Sequence, residues 1–220
     1  VLNLTENEAL GIRDYLYNNI RRENRTYRYN FLTNNCTTRV MDCIDSCITG
    51  QIVYSWKEEP KTYRRILHEY TDSFPWTREG NDVLLGADVD TLLSHKATCF
   101  IPGYYMHALS NAVVRNDFQD TRKLVRESVT LVEASPSDVK EMPGFPLTPL
   151  EAGWMFFAIA LAIMLMEFLT RKMFWPLDVI LLLLHGLAGC LILFMFLFSE
   201  HPTLDSNWLV GVLNPLPLVA

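Results

Sequence analysis

The sequence FWPLDVILLLLHGLAGCLILFMFLF, residues 174–198, decides the architecture of this protein. Only Asp178 and His185 are residues of an acidic or basic type in this stretch of 25 residues. An α-helix needs about 20 apolar residues to cross a hydrocarbon layer of about 30 Å. A second run, AGWMFFAIALAIMLMEFL at 152–169, has Glu167 as its single ionisable side chain. We therefore predict two transmembrane helices, at about 152–170 and 174–198.

Charge divides the chain into two parts. Of its 19 Lys and Arg residues, 17 precede residue 149, and the other two, Arg171 and Lys172, lie in the turn between the apolar runs. Basic residues favour the cytoplasmic side of a membrane, so this turn is predicted to face the cytoplasm and the preceding region to lie outside it. The predicted parts are an extracytoplasmic domain over 1–142, a Pro-rich linker over 143–150, and a transmembrane region over 151–220 in which 208–220 begins a third span.

Three ionisable side chains of the membrane region are candidates for a functional role. Asp178 and His185 are seven residues apart and therefore share one face of the second predicted helix. Ionisable groups in a span are costly and usually face a partner or a wet cavity. Simpler interpretations stay open: Asp178 is one turn from the interface, His185 can pack between helices, and His201 can belong to an ordinary loop.

The domain before the linker carries patterns of helices and of strands, which predicts an α+β fold. Thr5 and Glu8 form a capping box, so a helix is predicted to begin there. Apolar spacing predicts further helices at 36–48, at 63–70 and from Pro102. Strands are predicted at 27–31 and 124–132, and a loop is predicted around Pro75, Trp76 and Gly80.

A candidate nucleophile follows the first predicted strand, in Asn34-Asn35-Cys36-Thr37-Thr38-Arg39. A cysteine in the first turn of a helix lies beside unpaired N–H groups and the positive end of the helix dipole, which stabilise a thiolate. The same N–H groups can bind the oxyanion of an acyl intermediate. The alternative is a core cysteine, because Cys36, Cys43 and Cys47 share one helix face. Neither a disulfide nor a metal site is expected, because two cysteines one turn apart rarely suit a disulfide and the short metal-ligand spacings are missing.

Residues 27–39, YRYNFLTNNCTTR, resemble the central motif of the Lnb-type periplasmic domain family, which includes the bacterial lipoprotein intramolecular transacylase. The likeness continues through Thr5 and Glu8, through Pro75-Trp76, and through 100–105, FIPGYY. The resemblance implies the C-terminal part of a permuted papain-like fold of the NlpC/P60 type, here mostly helical. It also implies a protein of the bacterial cytoplasmic membrane with its soluble domain on the periplasmic side.

The resemblance implies an acyltransferase that uses Cys36 as its nucleophile and forms an acyl-thioester. Membrane lipids and diacylated lipoproteins are then the expected partners and substrates, without a cofactor and, given no basic patch, without nucleic acid. The residues expected near the reaction are Asn35, Thr37 and Tyr29 for the oxyanion or for positioning, with Arg39 and Asp42 in structural roles.

The family's catalytic histidine precedes the cysteine, whereas no histidine precedes Cys36 here. The general base is therefore expected outside this segment, which alone is expected to be inactive. The other histidines of the domain, His68, His95 and His107, are not expected to replace it. Two alternative functions stay open: a cell-wall peptidase or amidase, and an inactive membrane-anchored interaction module.

Overall fold

The computed structural model describes residues 1–56, 59–116, 120–133, 144–201 and 203–218. The helices are α1 (Glu6–Asn19), α2 (Cys36–Cys47), α3 (Tyr63–Thr71), α4 (Pro75–Leu84), α5 (His95–Thr98), α6 (Pro102–Ser110), α7 (Pro149–Thr170) and α8 (Trp175–Phe198). The strands are β1 (Gln51–Val53), β2 (Val113–Arg115) and β3 (Thr121–Lys123). The chain forms two compact units, the first from Val1–Lys61 and Leu92–Lys140, the second from Thr62–Thr91 and Glu141–Ala220.

The first unit is α+β, as the sequence predicts, and its strands form one antiparallel sheet in the order β1-β2-β3. Ile52 of β1 lies opposite Val114 of β2, which in turn lies opposite Arg122 of β3. Helices α2 and α6 pack against each other beside this sheet. The core that they share consists of Met41, Ile44, Ile48, Cys99, Tyr105, Ala108, Ala112, Val114 and Leu124.

The predicted capping box starts α1. The Thr5 side chain accepts a hydrogen bond from the Glu8 amide, and the Glu8 carboxylate accepts one from the Thr5 amide. Glu8 is fully buried, so its charge needs further partners. The Thr49 amide and the Arg122 guanidinium donate to the same carboxylate, at 2.9 Å and 2.6 Å. One buried carboxylate therefore ties α1 to the end of α2 and to β3.

The two predicted strands are wrong. Over 27–31, the alternating aromatic side chains are all exposed. The Asn30 side chain closes a turn, because it accepts hydrogen bonds from the backbone amides of Leu32 and Thr33. Alternation alone does not make a strand when no neighbouring strand pairs with it. Over 124–132 the strand has already ended, because β3 covers 121–123 and only one isolated bridge follows it.

The predicted loop at Pro75 is also wrong, because Pro75 is the first residue of α4. Proline suits that position since its fixed φ is helical and its missing N–H is not needed there. Pro149 starts α7 in the same way. The last residues of the predicted linker are therefore helical, and its first proline, Pro143, lies outside the described residues.

Helices α7 and α8 of the second unit are long and apolar enough to cross a membrane, and both lie within three residues of the predicted bounds. After α8 the chain turns back, and residues 214–218 lie against the helix. Gly189 permits this approach, because a Cβ at that position would lie 2.6 Å from the Asn214 Cα. The residues that are predicted to begin a third span form two short 3₁₀ turns, Trp208–Gly211 and Leu216–Leu218.

The loop after α8 is bound to the end of α4. The Asn207 side-chain amide donates to the carbonyl oxygens of Val83 and Leu84, at 2.8 Å and 3.0 Å. The Gly86 amide donates to the Thr203 carbonyl at 2.8 Å. These bonds join a segment that precedes α7 to one that follows α8, so the start of α7 and the end of α8 are held at the same end of the helical pair.

Candidate functional site

Cys36 is the first residue of α2, and its side chain is exposed. The helix begins there because Asn35 is its N-cap. The Asn35 Oδ1 atom accepts hydrogen bonds from the Thr37 and Thr38 amides, at 2.8 Å and 3.0 Å. The Thr38 hydroxyl accepts one in return from the Asn35 amide, which completes a capping box. A fixed helix end therefore presents the thiol to solvent.

The Asn35 side chain is buried and all its polar atoms are used. Its Nδ2 donates to the carbonyl oxygens of Phe31 and Phe100, at 2.7 Å and 2.8 Å. Since an amide has two N–H donors, neither remains for an oxyanion. The geometry therefore gives Asn35 a positioning part at the head of the helix.

The cap reduces the number of backbone amides at the start of α2 that are free to bind an oxyanion. Those of Thr37 and Thr38 are taken by the cap, and Thr37 is itself buried. For the Cys36 amide, no acceptor is found in the part of the chain that the structure describes. The Cys36 amide is therefore the candidate oxyanion donor at the helix head.

An aromatic pair stands beside the same helix. The Arg39 guanidinium lies 4.7 Å from the centre of the Tyr27 ring, and that ring is 6.4 Å from the ring of Tyr29. The cation–π contact holds the 27–31 segment against α2. Tyr29 remains exposed, and Asp42 is exposed one turn further along the helix.

The other cysteines of the first unit differ from Cys36. Cys43 and Cys99 are buried, and burial raises the pKa of both thiols, that of Cys99 to about 11. Cys47 is half-buried. Cys99, which the sequence patterns did not single out, belongs to the core beside Tyr105.

The two histidines of the first unit lie around a separate cavity of about 160 Å³. The His95 ring is stacked on Trp56, with 5.4 Å between ring centres, and His107 is exposed on α6. Neither imidazole is hydrogen-bonded to Cys36 among the described residues. Those residues also contain no group of three side chains suited to a metal ion.

The second unit contains a charged cluster that the sequence patterns did not reveal. The Arg64 guanidinium bonds to Asp82 and Asp90, both at 2.7 Å, and the His68 ring lies 2.9 Å from the Asp82 carboxylate. Burial raises the pKa of Asp82, but the hydrogen bonds from Arg64 and His68 outweigh it and hold that pKa below its usual value. The sequence feature that could have indicated this cluster is the i, i+4 spacing of Arg64 and His68, which places both side chains on one face of α3.

Among the described residues, no contact joins Asp178, His185 or His201, the three candidates of the membrane region, to this cluster. Asp178 is exposed near the start of α8, and His185 is half-buried near its middle. His201 lies beyond α8, where its Nδ1 is 3.1 Å from the Thr203 hydroxyl and burial lowers its pKa. No shared site for the three is found among the described residues.

Comparisons with known families agree with this architecture of a membrane protein that carries a periplasmic domain. Residues 1–69 match the family described as the Lnb N-terminal periplasmic domain, and residues 140–220 match the Lnb transmembrane domain. The two matches together cover more than half of the chain, which therefore belongs to the Lnb-type family. No individual curated protein and no solved structure matches it.

Proposed function

We propose that this protein is a membrane-anchored thiol acyltransferase that moves an acyl chain within bacterial lipoproteins. The observation that carries the proposal is the exposed Cys36 at the first position of a capped helix, in a family with periplasmic and transmembrane domains. Thiols at helix N-termini are favoured nucleophiles. The permuted papain-like fold implied by the sequence resemblance is part of this proposal.

The reaction has two steps. The Cys36 thiolate attacks the carbonyl carbon of an ester on the diacylglyceryl group, the C–O bond breaks, and the glycerol oxygen leaves and takes up a proton. The acyl chain is then a thioester on Cys36. In the second step the α-amine of the lipoprotein attacks the thioester, loses a proton and releases the thiolate. The products are an N-acylated lyso-lipoprotein and the free enzyme.

The amide of Cys36 is the donor that would stabilise the oxyanion of each tetrahedral intermediate. Asn35 fixes that amide through the cap, and the contacts of Tyr27 with Arg39 and with Tyr29 order the adjoining segment. Both steps also require a base. Neither His95 nor His107 is assigned as this base, because both line the separate cavity and His95 is also stacked on Trp56.

Anchoring favours this chemistry because the substrate is itself held in a bilayer. An enzyme anchored by two predicted spans and a lipid-anchored substrate both diffuse in the plane of the membrane, which lowers the entropy cost of their encounter. The proposed location is the bacterial cytoplasmic membrane, with the thiol on its periplasmic side. Membrane lipids and diacylated lipoproteins are the proposed partners.

Mass spectrometry of a lipoprotein's N-terminal cysteine tests the proposal. The lipoprotein is isolated from cells with the full-length gene, with Cys36→Ser, and with the gene deleted. We expect the N-acylated lyso form only where Cys36 is intact, and Cys47→Ser is the matched control that preserves it. An unchanged lipoprotein in all strains contradicts acyl transfer, and altered peptidoglycan fragments would then favour the cell-wall peptidase.

A further inference from the structure

An aromatic contact joins α4 to the head of the first predicted span within the second unit. The Trp76 indole N–H donates a 2.7 Å hydrogen bond to the carbonyl oxygen of Leu147, two residues before α7. The Phe145 ring meets the Trp76 ring edge-on, with 5.6 Å between their centres. Trp76 thus has its polar atom satisfied by protein while part of its ring remains exposed.

Two cavities are lined by successive stretches of the same two segments, one by residues 73–77 and 144–148 and the other by residues 79 and 149–157, and together we call them the α4–α7 groove. The upper one has a volume of about 440 Å³ and includes Phe74, Trp76 and Phe145 in its walls. The lower one, about 490 Å³, is lined by Glu79, Pro149, Leu150, Gly153, Trp154 and Phe157. The walls of both are mainly apolar, with hydroxyl groups of Ser73, Thr77 and Thr148 in the upper one.

The lower cavity reaches the depth of the hydrocarbon layer. Phe157 lies eight residues into α7, which at 1.5 Å per residue is about 12 Å below the head of the helix. The whole helix of 22 residues measures about 33 Å, close to the hydrocarbon thickness. The groove is therefore continuous with the lipid-facing surface of a span that is almost entirely unburied.

Exposed aromatic side chains lie above it. The helix α4 has no buried residue, and Phe74 and Phe145 are 63% and 67% exposed. Contiguous exposed apolar surface marks an interaction site, and tryptophans gather where a membrane meets water. Among the occupants of a bilayer, a long apolar chain matches a groove that is polar at its upper end and apolar at its lower end.

We infer that the α4–α7 groove holds an acyl chain of a lipid in the leaflet facing the periplasm, and that α4 lies on that leaflet. The chain runs from the ring of Trp76, at the polar upper end, down past Gly153 to Phe157. This inference does not depend on the thiol chemistry, because every residue that carries it belongs to the second unit.

Photo-crosslinking tests the inference on the full-length protein in bilayer nanodiscs. The probe is a phosphatidylethanolamine with a diazirine near the ester end of one acyl chain. After irradiation and trypsin digestion, we expect lipid adducts on the peptide 66–78, which contains Phe74 and Trp76 and lies outside both predicted spans. Adducts confined to peptides of α7 and α8 would overturn the inference.

Gly153→Phe provides the blocking variant. A Cβ at Gly153 meets nothing within 4 Å, and Gly153 lines the lower cavity, so a larger side chain there is expected to occupy that cavity. We expect loss of the adduct on 66–78 with retention of the adducts on α8. Gly211→Phe adds the same ring at another open position, outside the groove, and is expected to leave the adduct unchanged. Equal labelling of 66–78 in both variants would contradict the proposed path of the chain.

Discussion

The side-chain amide of Asn35 donates a 2.8 Å hydrogen bond to the carbonyl oxygen of Phe100, 65 residues later in the chain. The same side chain caps the helix that begins at Cys36. The ring of Phe31 adds an edge-on contact with the ring of Phe100, at 5.9 Å. One asparagine therefore fixes both the start of α2 and its position against the segment that leads into α6.

Substitution of Asn35 separates these two tasks. Asn35→Asp keeps the oxygens that cap Thr37 and Thr38 but cannot donate to Phe100, whereas Asn35→Ala loses both. We expect Ala to lower the free energy of unfolding of the first unit by about 2–4 kcal/mol, and Asp by at least as much, because its buried carboxylate would face the carbonyl oxygens of Phe31 and Phe100. The labelling rate of the buried Cys99 under native conditions reports this opening. Equal rates in Asn35→Ala and the parent would contradict the double role.

The buried Glu8 carboxylate predicts acid sensitivity of the first unit. Burial raises the pKa of Glu8, but hydrogen bonds from Thr5 and Thr49 and the charge of Arg122 outweigh it, so the net pKa lies below its ordinary value of 4.5. A carboxyl whose pKa is lower in the folded state stabilises that state above the ordinary value. This stability is lost as pH falls through about 4.5 towards the folded pKa.

Glu8→Gln tests this linkage. The variant is expected to lose about 2–4 kcal/mol of unfolding free energy at pH 7, since it leaves Arg122 without its carboxylate. Its thermal midpoint should change less than that of the parent between pH 6 and the acid range. Glu6→Gln, an exposed change in the same helical turn, should follow the parent. A parent and a Glu8→Gln variant with the same pH profile would refute the linkage.

Thiol labelling distinguishes the cysteines by position. With iodoacetamide at neutral pH, we expect Cys36 to react first, because it is exposed at the helix head. Cys43 and Cys99 should stay unlabelled in the folded protein, because both are buried and burial raises their pKa values. Peptide mass spectrometry after timed quenching measures each rate. Similar rates at all three positions would remove the evidence that Cys36 is the accessible nucleophile.

At Gly86 the backbone lies so close to the loop after α8 that adding a single methyl group should destabilise the protein. A Cβ at this position would lie 2.5 Å from the Thr203 carbonyl oxygen, so Gly86→Ala must separate the end of α4 from the loop after α8. We expect a loss of about 1–3 kcal/mol, seen as a lower thermal midpoint in micelles. Gly80→Ala, in the open on α4, should instead be neutral or favour the helix by up to about 1 kcal/mol. Indistinguishable midpoints for the two variants would disprove the contact.

The elements that the sequence predicted correctly are those formed by interactions between residues close together in the chain. The capping box of Thr5 and Glu8 lies within one helical turn, and α2 and α3 follow from apolar spacing, so sequence alone located them. Hydropathy located both predicted spans for the same reason, since a spanning helix satisfies its own backbone. At the site, the sequence placed Cys36 in the first turn of α2, and the structure agrees.

What the sequence did not reveal depends on partners far along the chain. Strands of three residues, such as Val113–Arg115, are too short to show a periodic pattern. The Arg122 that completes the Glu8 site is 114 residues away, and Trp76 meets Leu147 across 71 residues. Prolines were also misleading, because Pro75 and Pro149 start helices, whereas the sequence predicted a loop around the first and a linker around the second.

The most direct measurement traps the thioester on Cys36. The full-length protein in membranes receives a diacylated lipopeptide whose N-terminal amine is acetylated, so that the acyl chain can be taken but not passed on. We expect the peptide that contains Cys36 to gain the mass of one acyl chain, and neutral hydroxylamine to remove it. The absence of that mass, or its persistence in Cys36→Ser, would contradict the account.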